Sequence, residues 1–204
     1  SNEYPFASMR DSFDLSATSW SAPRLSTAAD RGDRSALHGG ATFIQLRAKG
    51  ADASELTEMA RDIAQIIEDN EKSDSVAFVI DDRADVVWQA RRKGIKVDGV
   101  HIGQSDMGRA GPRLLGDEAI VGLSAETESL VRLINELPDG CIDYIGAGPL
   151  HVSSTKPEPV GGNDGSGKTL DAAQINTICS ASEFPVAVGG GVTAADMAML
   201  AGHE

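Results

Sequence analysis

Cysteine is scarce in this chain, positive charge is outnumbered, and long apolar runs are missing. Of 204 residues only Cys141 and Cys179 are cysteines, which excludes a disulfide framework and argues against a zinc site. Both read as free, buried thiols in a reducing compartment. Eighteen Lys and Arg face 31 Asp and Glu, a formal net charge of -13, and that balance argues against a broad grip on nucleic acid or an anionic membrane. Local phosphate binding stays open, because a few placed cations and backbone amides suffice for it. No apolar run approaches the roughly 18 residues of a membrane span. Ser1 to Ser12 lack the basic-then-apolar order of a signal peptide. Residues 1–12 are read as a tag or disordered start, and 13–204 as one domain of a soluble, cytoplasmic protein.

What is present is ordinary globular composition, 41% hydrophobic and 24% charged, with 22 glycines suited to tight turns and close backbone–ligand approach. From residue 41 onward a theme repeats: a short apolar strand, a polar turn, a helical stretch. Strands are expected at Ala41–Arg47, Val76–Ile80, Val97–Ile102, Ala119–Leu123, Ile142–Ala147 and Pro185–Val188. Helices are expected at Ala53–Asn70, Ala84–Arg92, Glu126–Leu137, Leu170–Ala181 and Ala194–Ala201. Leu56, Met59, Ala60, Ile63, Ile66 and Ile67 form one stripe of the first helix, and Asp52 with Glu55 has capping-box spacing at its start. Strands apolar at nearly every position and separated by helices predict a parallel sheet covered on both faces. Either a (β/α)₈ barrel or a doubly wound sheet fits. The first and last strands of a barrel are not recognisable, and omitted segments explain this better than an open barrel with two exposed strand edges.

Several residues carry chemistry. On the first strand Phe43, Gln45, Arg47 and Lys49 alternate with Ile44 and Leu46, so the polar set shares one face. In a barrel that face points inward, and two cations with an amide at its rim suit a polyphosphate; the bland alternative is an edge strand with a solvated face. The second strand ends in Asp81, Asp82 and Arg83, and Asp106 follows the third. Acids at the ends of neighbouring strands suit Mg²⁺, which takes oxygen ligands. His101 lies mid-strand and reads as a packing residue. Ser124 ends the fourth strand, while Ser153, Ser154, Thr155 and Lys156 follow the fifth on a loop suited to phosphate. Gly189-Gly190-Gly191 precedes a helix beginning near Thr193, an arrangement that favours an anion. Gly162 to Thr169 satisfies the P-loop pattern. However, Pro157 and Pro159 precede it where a buried strand is required, so a Gly/Ser-rich loop over an active site is the better reading.

In order along the chain stand Gln45-Leu46-Arg47-Ala48-Lys49, Asp81-Asp82-Arg83, Asp98 to Gln104, Gly122 to Ala125, Asp143 to Pro149, Thr155-Lys156-Pro157 and Gly190-Gly191. This succession resembles the thiamine-phosphate synthases. The resemblance implies a (β/α)₈ TIM barrel and a Mg²⁺-dependent transferase that couples a pyrimidine diphosphate to a thiazole phosphate and releases pyrophosphate. It implies that Gln45, Arg47 and Lys49 hold the diphosphate and that Asp82 and Asp106 ligate Mg²⁺. Ser124 would contact substrate near the reacting centre, and Ser153, Thr155 and Lys156 would bind phosphate, Lys156 on the departing pyrophosphate. The amides of Gly190 and Gly191 would grip the thiazole phosphate. The chain departs from the family pattern at Asp81, where Asn is usual within the substrate-binding set, adding a negative charge beside the diphosphate. Ser153 replaces a usual threonine. Rival readings are the related thiazole tautomerase, which needs no magnesium–pyrophosphate cluster, and a non-catalytic barrel that binds a phosphate ligand. The expected partners are small-molecule substrates, with oligomerisation possible.

Overall fold

The structure is a computed structural model that describes residues 36–104, 115–151, 169–196 and 200. It is an α/β fold whose chain divides into two compact units, one ending at Gly122 and the other starting at Leu123. The six expected strands are β1 (Phe43–Leu46), β2 (Ala77–Asp81), β3 (Gly99–Ile102), β4 (Ile120–Ser124), β5 (Tyr144–Ala147) and β6 (Val186–Val188). The helices described over their full length are α1 (Ala53–Asp69), α2 (Ala84–Arg92), α3 (Glu128–Asn135) and α4 (Ala172–Ala181). The boundary between the units passes through β4.

In the first unit the hydrogen-bonded order is β1-β2-β3-β4. β1 and β2 are parallel with Phe43 level with Ala77 and Leu46 with Ile80, and β2 and β3 are parallel with Asp81 level with His101. Phe78, Val79, Ile80 and Val100 are fully buried, as expected for strands covered on both faces. α1 buries the stripe read from the sequence: Leu56, Met59, Ala60, Ile63, Ile66 and Ile67 are all buried, and the helix packs against α2. Its start is fixed by the expected capping box, in which Asp52 accepts from the N–H groups of Ser54 and Glu55 and Glu55 accepts from the N–H of Asp52.

Polar contacts that the sequence did not announce tie β3 to its neighbours. One oxygen of Asp98 accepts from Phe78 N–H at 2.7 Å and from Lys96 Nζ at 2.5 Å. Arg91, at the end of α2, donates to the carbonyls of Val97, Asp98 and Leu115. Gly99 is required by packing: a Cβ there would stand 1.8 Å from the carbonyl oxygen of Ile120.

In the second unit the order is β4-β5-β6, with β5 and β6 parallel and Gly146 level with Ala187. α3 begins at Glu128, later than the expected Glu126, because Thr127 caps it by accepting from Leu130 N–H. α4 likewise starts after Leu170, since Asp171 is its N-cap and forms a capping box with Gln174. At the expected last helix, Ala194 to Asp196 form a turn, and Leu200 N–H donates to the carbonyl of Asp196 at 3.0 Å with helical spacing. Cys141 and Cys179 are free, as expected, but only half-buried. No described helix is long and apolar enough to cross a membrane.

Candidate functional site

β1 ends at Leu46, so Arg47 and Lys49 lie on the connection to α1 and not on the strand itself. The parallel register aligns Gln45 with Val79, and continuing that offset brings Arg47 level with Asp81 at the end of β2. The side chains meet accordingly. The Gln45 amide donates a short hydrogen bond to one oxygen of Asp81, and Arg47 Nε lies 3.5 Å from the other. The Asp81 side chain is only 9% exposed. Its burial pushes the carboxyl up to about 7; the Gln45 hydrogen bond and the charges of Arg47 and Lys49 oppose this rise, and Asp82 adds to it. Gln45 and Arg47 therefore meet at the strand ends, on a carboxyl group of the chain itself.

Asp82 is disposed differently from its neighbour. Its φ of 62 is in the left-handed region, unusual for a residue other than glycine, and its N–H donates to the carbonyl of His101 at 2.8 Å. This turn leaves Asp82 exposed beyond the strand end. An exposed carboxylate at that position is an oxygen donor of the kind a hard ion takes. Among the described residues no three His, Cys, Asp or Glu side chains are grouped to hold a metal, and Asp106 lies outside the described residues. Arg83 turns aside to Asp85, with bonds of 2.9 and 2.7 Å. His101 is buried as a packing residue should be, and burial together with the Arg47 cation lowers it to about 4, so its ring is neutral at physiological pH.

In the second unit Ser124 ends β4, half-buried. The loops after β5 and β6 interlock. Leu150 N–H reaches the carbonyls of Gly189 and Gly190, both at 3.1 Å, and His151 N–H reaches that of Gly190 at 2.9 Å. Gly190 has a φ of 81, and a Cβ there would lie 2.4 Å from the Pro149 Cβ; at Gly191, with a φ of 70, it would lie 2.9 Å from the His151 Cβ. Only glycine fits this close approach. Among the described residues no hydrogen bond uses the N–H of Gly190 or Gly191. Asp196 braces the cradle: it accepts from Thr193 N–H and Oγ1, both at 2.7 Å, and contacts His151 Nε2 at 3.0 Å. These contacts with Thr193 and His151 lower its carboxyl to about 2. Sequence reasoning missed this brace, although the Thr193-x-x-Asp196 spacing is a capping signature.

Ser153, Thr155, Lys156 and most of the P-loop-like stretch lie outside the described residues. The helix that follows that stretch is informative nonetheless. α4 begins only at Ala172, after Asp171 as its N-cap, whereas a P-loop helix opens directly on the Gly-Lys-Ser/Thr end of the motif.

Comparison with known proteins gives a consistent result. The family model described as thiamine monophosphate synthase matches residues 30–204. The chain is 36% identical over 169 residues to a thiamine-phosphate synthase of Corynebacterium efficiens, covering 82% of this chain and 72% of that protein. It is 38% identical over 167 residues to one of Corynebacterium jeikeium, covering 81% and 72%. Its fold is similar to that of a thiamine phosphate pyrophosphorylase from Pyrococcus furiosus, with a TM-score of 0.67 and 24% identity over 90% of this chain and 78% of the other.

Proposed function

This chain belongs to the thiamine monophosphate synthase family, and from that membership we propose that it joins hydroxymethylpyrimidine diphosphate to hydroxyethylthiazole phosphate, giving thiamine phosphate and pyrophosphate. Its function is that of a thiamine-phosphate synthase, a transferase acting on small molecules. The observation that carries the substrate assignment is the convergence of Gln45, Arg47 and Asp81 at the ends of β1 and β2, with Lys49 close enough to act on the same carboxyl.

In the proposed reaction the bond from the pyrimidine methylene carbon to the diphosphate oxygen breaks, and the electron pair leaves with pyrophosphate. The electron-rich pyrimidine stabilises the cation, and the thiazole nitrogen captures it. No side-chain nucleophile is needed. Arg47 and Lys49 stabilise the charge that develops on the leaving group, assisted by Lys156. Ser124 contacts the substrate near the reacting carbon, and Ser153 and Thr155 bind phosphate oxygens. The amides of Gly190 and Gly191 hold the thiazole phosphate, so that the nucleophile is oriented before the bond breaks. Asp82, with Asp106, would hold Mg²⁺, which supplies further charge stabilisation to the pyrophosphate. Residues 13–204 are read as one (β/α)₈ barrel domain working in the cytoplasm.

The test is pyrophosphate release from the pyrimidine diphosphate with and without thiazole phosphate and Mg²⁺, on the wild type and on Asp82→Ala. Release that requires all three and collapses in the variant supports the reading and its metal site. A folded protein that releases no pyrophosphate refutes the catalytic reading.

A further inference from the structure

Asp81 stands in the substrate-binding set where the family usually has an amide, and it engages two of the groups on which the proposed reaction depends. Its carboxylate accepts from the Gln45 amide and sits against Arg47 Nε. The Asp81 side chain is 9% exposed and that of Arg47 21%, so the contact is shielded from solvent and its charges are little screened. An ionised carboxylate offers acceptors only, so at this point a phosphate oxygen finds no donor and meets a like charge. Arg47 meets Asp81 through its Nε edge, and the terminal nitrogens of a guanidinium are further donors suited to phosphate oxygens.

Building on the diphosphate reading, we propose that Asp81 is a built-in competitor of the diphosphate: its carboxylate occupies Gln45 and the inner edge of Arg47 in the free protein, orients both, and must yield to the incoming ligand. Asp81 is thus a residue that sets affinity and positions Arg47, and it is not a catalytic residue. Two consequences follow from this arrangement. The protein holds its diphosphate donors preassembled, which limits the ordering required on binding. It also binds polyanions more weakly than the same site would with a neutral amide, and the penalty grows with ligand charge.

Asp81→Asn keeps the side-chain shape and an oxygen for Gln45 while removing the charge. Calorimetric titration at pH 8 and fixed Mg²⁺ with inorganic pyrophosphate, and separately with inorganic phosphate, compares this variant with wild type and with Arg47→Gln. On a like-charge basis pyrophosphate is expected to bind Asp81→Asn on the order of tenfold more tightly than wild type. Phosphate should gain less, and Arg47→Gln should weaken both. In turnover, the KM for the pyrimidine diphosphate should fall while that for thiazole phosphate stays unchanged, a split that a merely structural role for Asp81 would not produce. Equal or weaker pyrophosphate binding by Asp81→Asn, with Arg47→Gln still impaired, overturns the competitor role and leaves the diphosphate site standing. Pyrophosphate binding that is indifferent to Arg47, or absent from every variant, overturns the diphosphate reading and the competitor role together.

Discussion

Asp81 shows how one buried charge shapes this site. Burial lifts its carboxyl from 3.8 to about 7, so between those values the folded protein holds the proton more tightly than the unfolded chain does. Ionisation therefore costs the folded state, and the Asp81 contribution to stability falls as pH rises through that window. Asp81→Asn removes the penalty. Denaturant unfolding should show the variant gaining on wild type from pH 4 to pH 8, by up to about 4 kcal/mol, with little difference at the acid end. A gain independent of pH would contradict this account. The sequence marks Asp81 as an acid at a strand end, but not as a partner of Gln45 and Arg47. That pairing depends on the two-strand register, which places residues distant in the chain level with one another.

Between elements, the contacts with most at stake are those that fix β3 and those that interleave the loops after β5 and β6. Lys96 and Asp98 are 6% and 2% exposed, and Asp98 also accepts from Phe78 N–H, so removing its carboxylate takes a buried charge partner and a backbone acceptor away together. Asp98→Ala is expected to destabilise by about 3–5 kcal/mol in chemical denaturation. A loss under about 1 kcal/mol would mean that Lys96 finds water or another partner. Gly190→Ala places a methyl group against Pro149 at a left-handed φ. Steady-state kinetics should then show a several-fold higher KM for thiazole phosphate with the diphosphate KM unchanged; the reverse pattern would misassign the cradle. These polar and steric relations leave no periodic trace in the sequence. The elements themselves do: the α1 stripe, the apolar runs of β2 and β3, and the Asp52–Glu55 box are written at short range, and each appears where the periodicity places it. The ends of α3 and α4 were less legible, since Thr127 and Asp171 had first to be recognised as caps and not as helical residues.

For the whole molecule, the ordered motifs from Gln45 to Gly191 pointed to the same family as the match over residues 30–204. The strand and helix succession gave the α/β class with its parallel pairs. What could not be read was which donors the chain satisfies internally before any ligand arrives. The most direct measurement of the central claim is product stoichiometry. Both substrates and Mg²⁺ are mixed with the protein, and thiamine phosphate and pyrophosphate are quantified by mass spectrometry and an enzyme-coupled assay. The account predicts equal amounts of the two products, formed only when both substrates are present. Pyrophosphate released without thiamine phosphate, or neither product from a folded protein that binds both ligands, would contradict it.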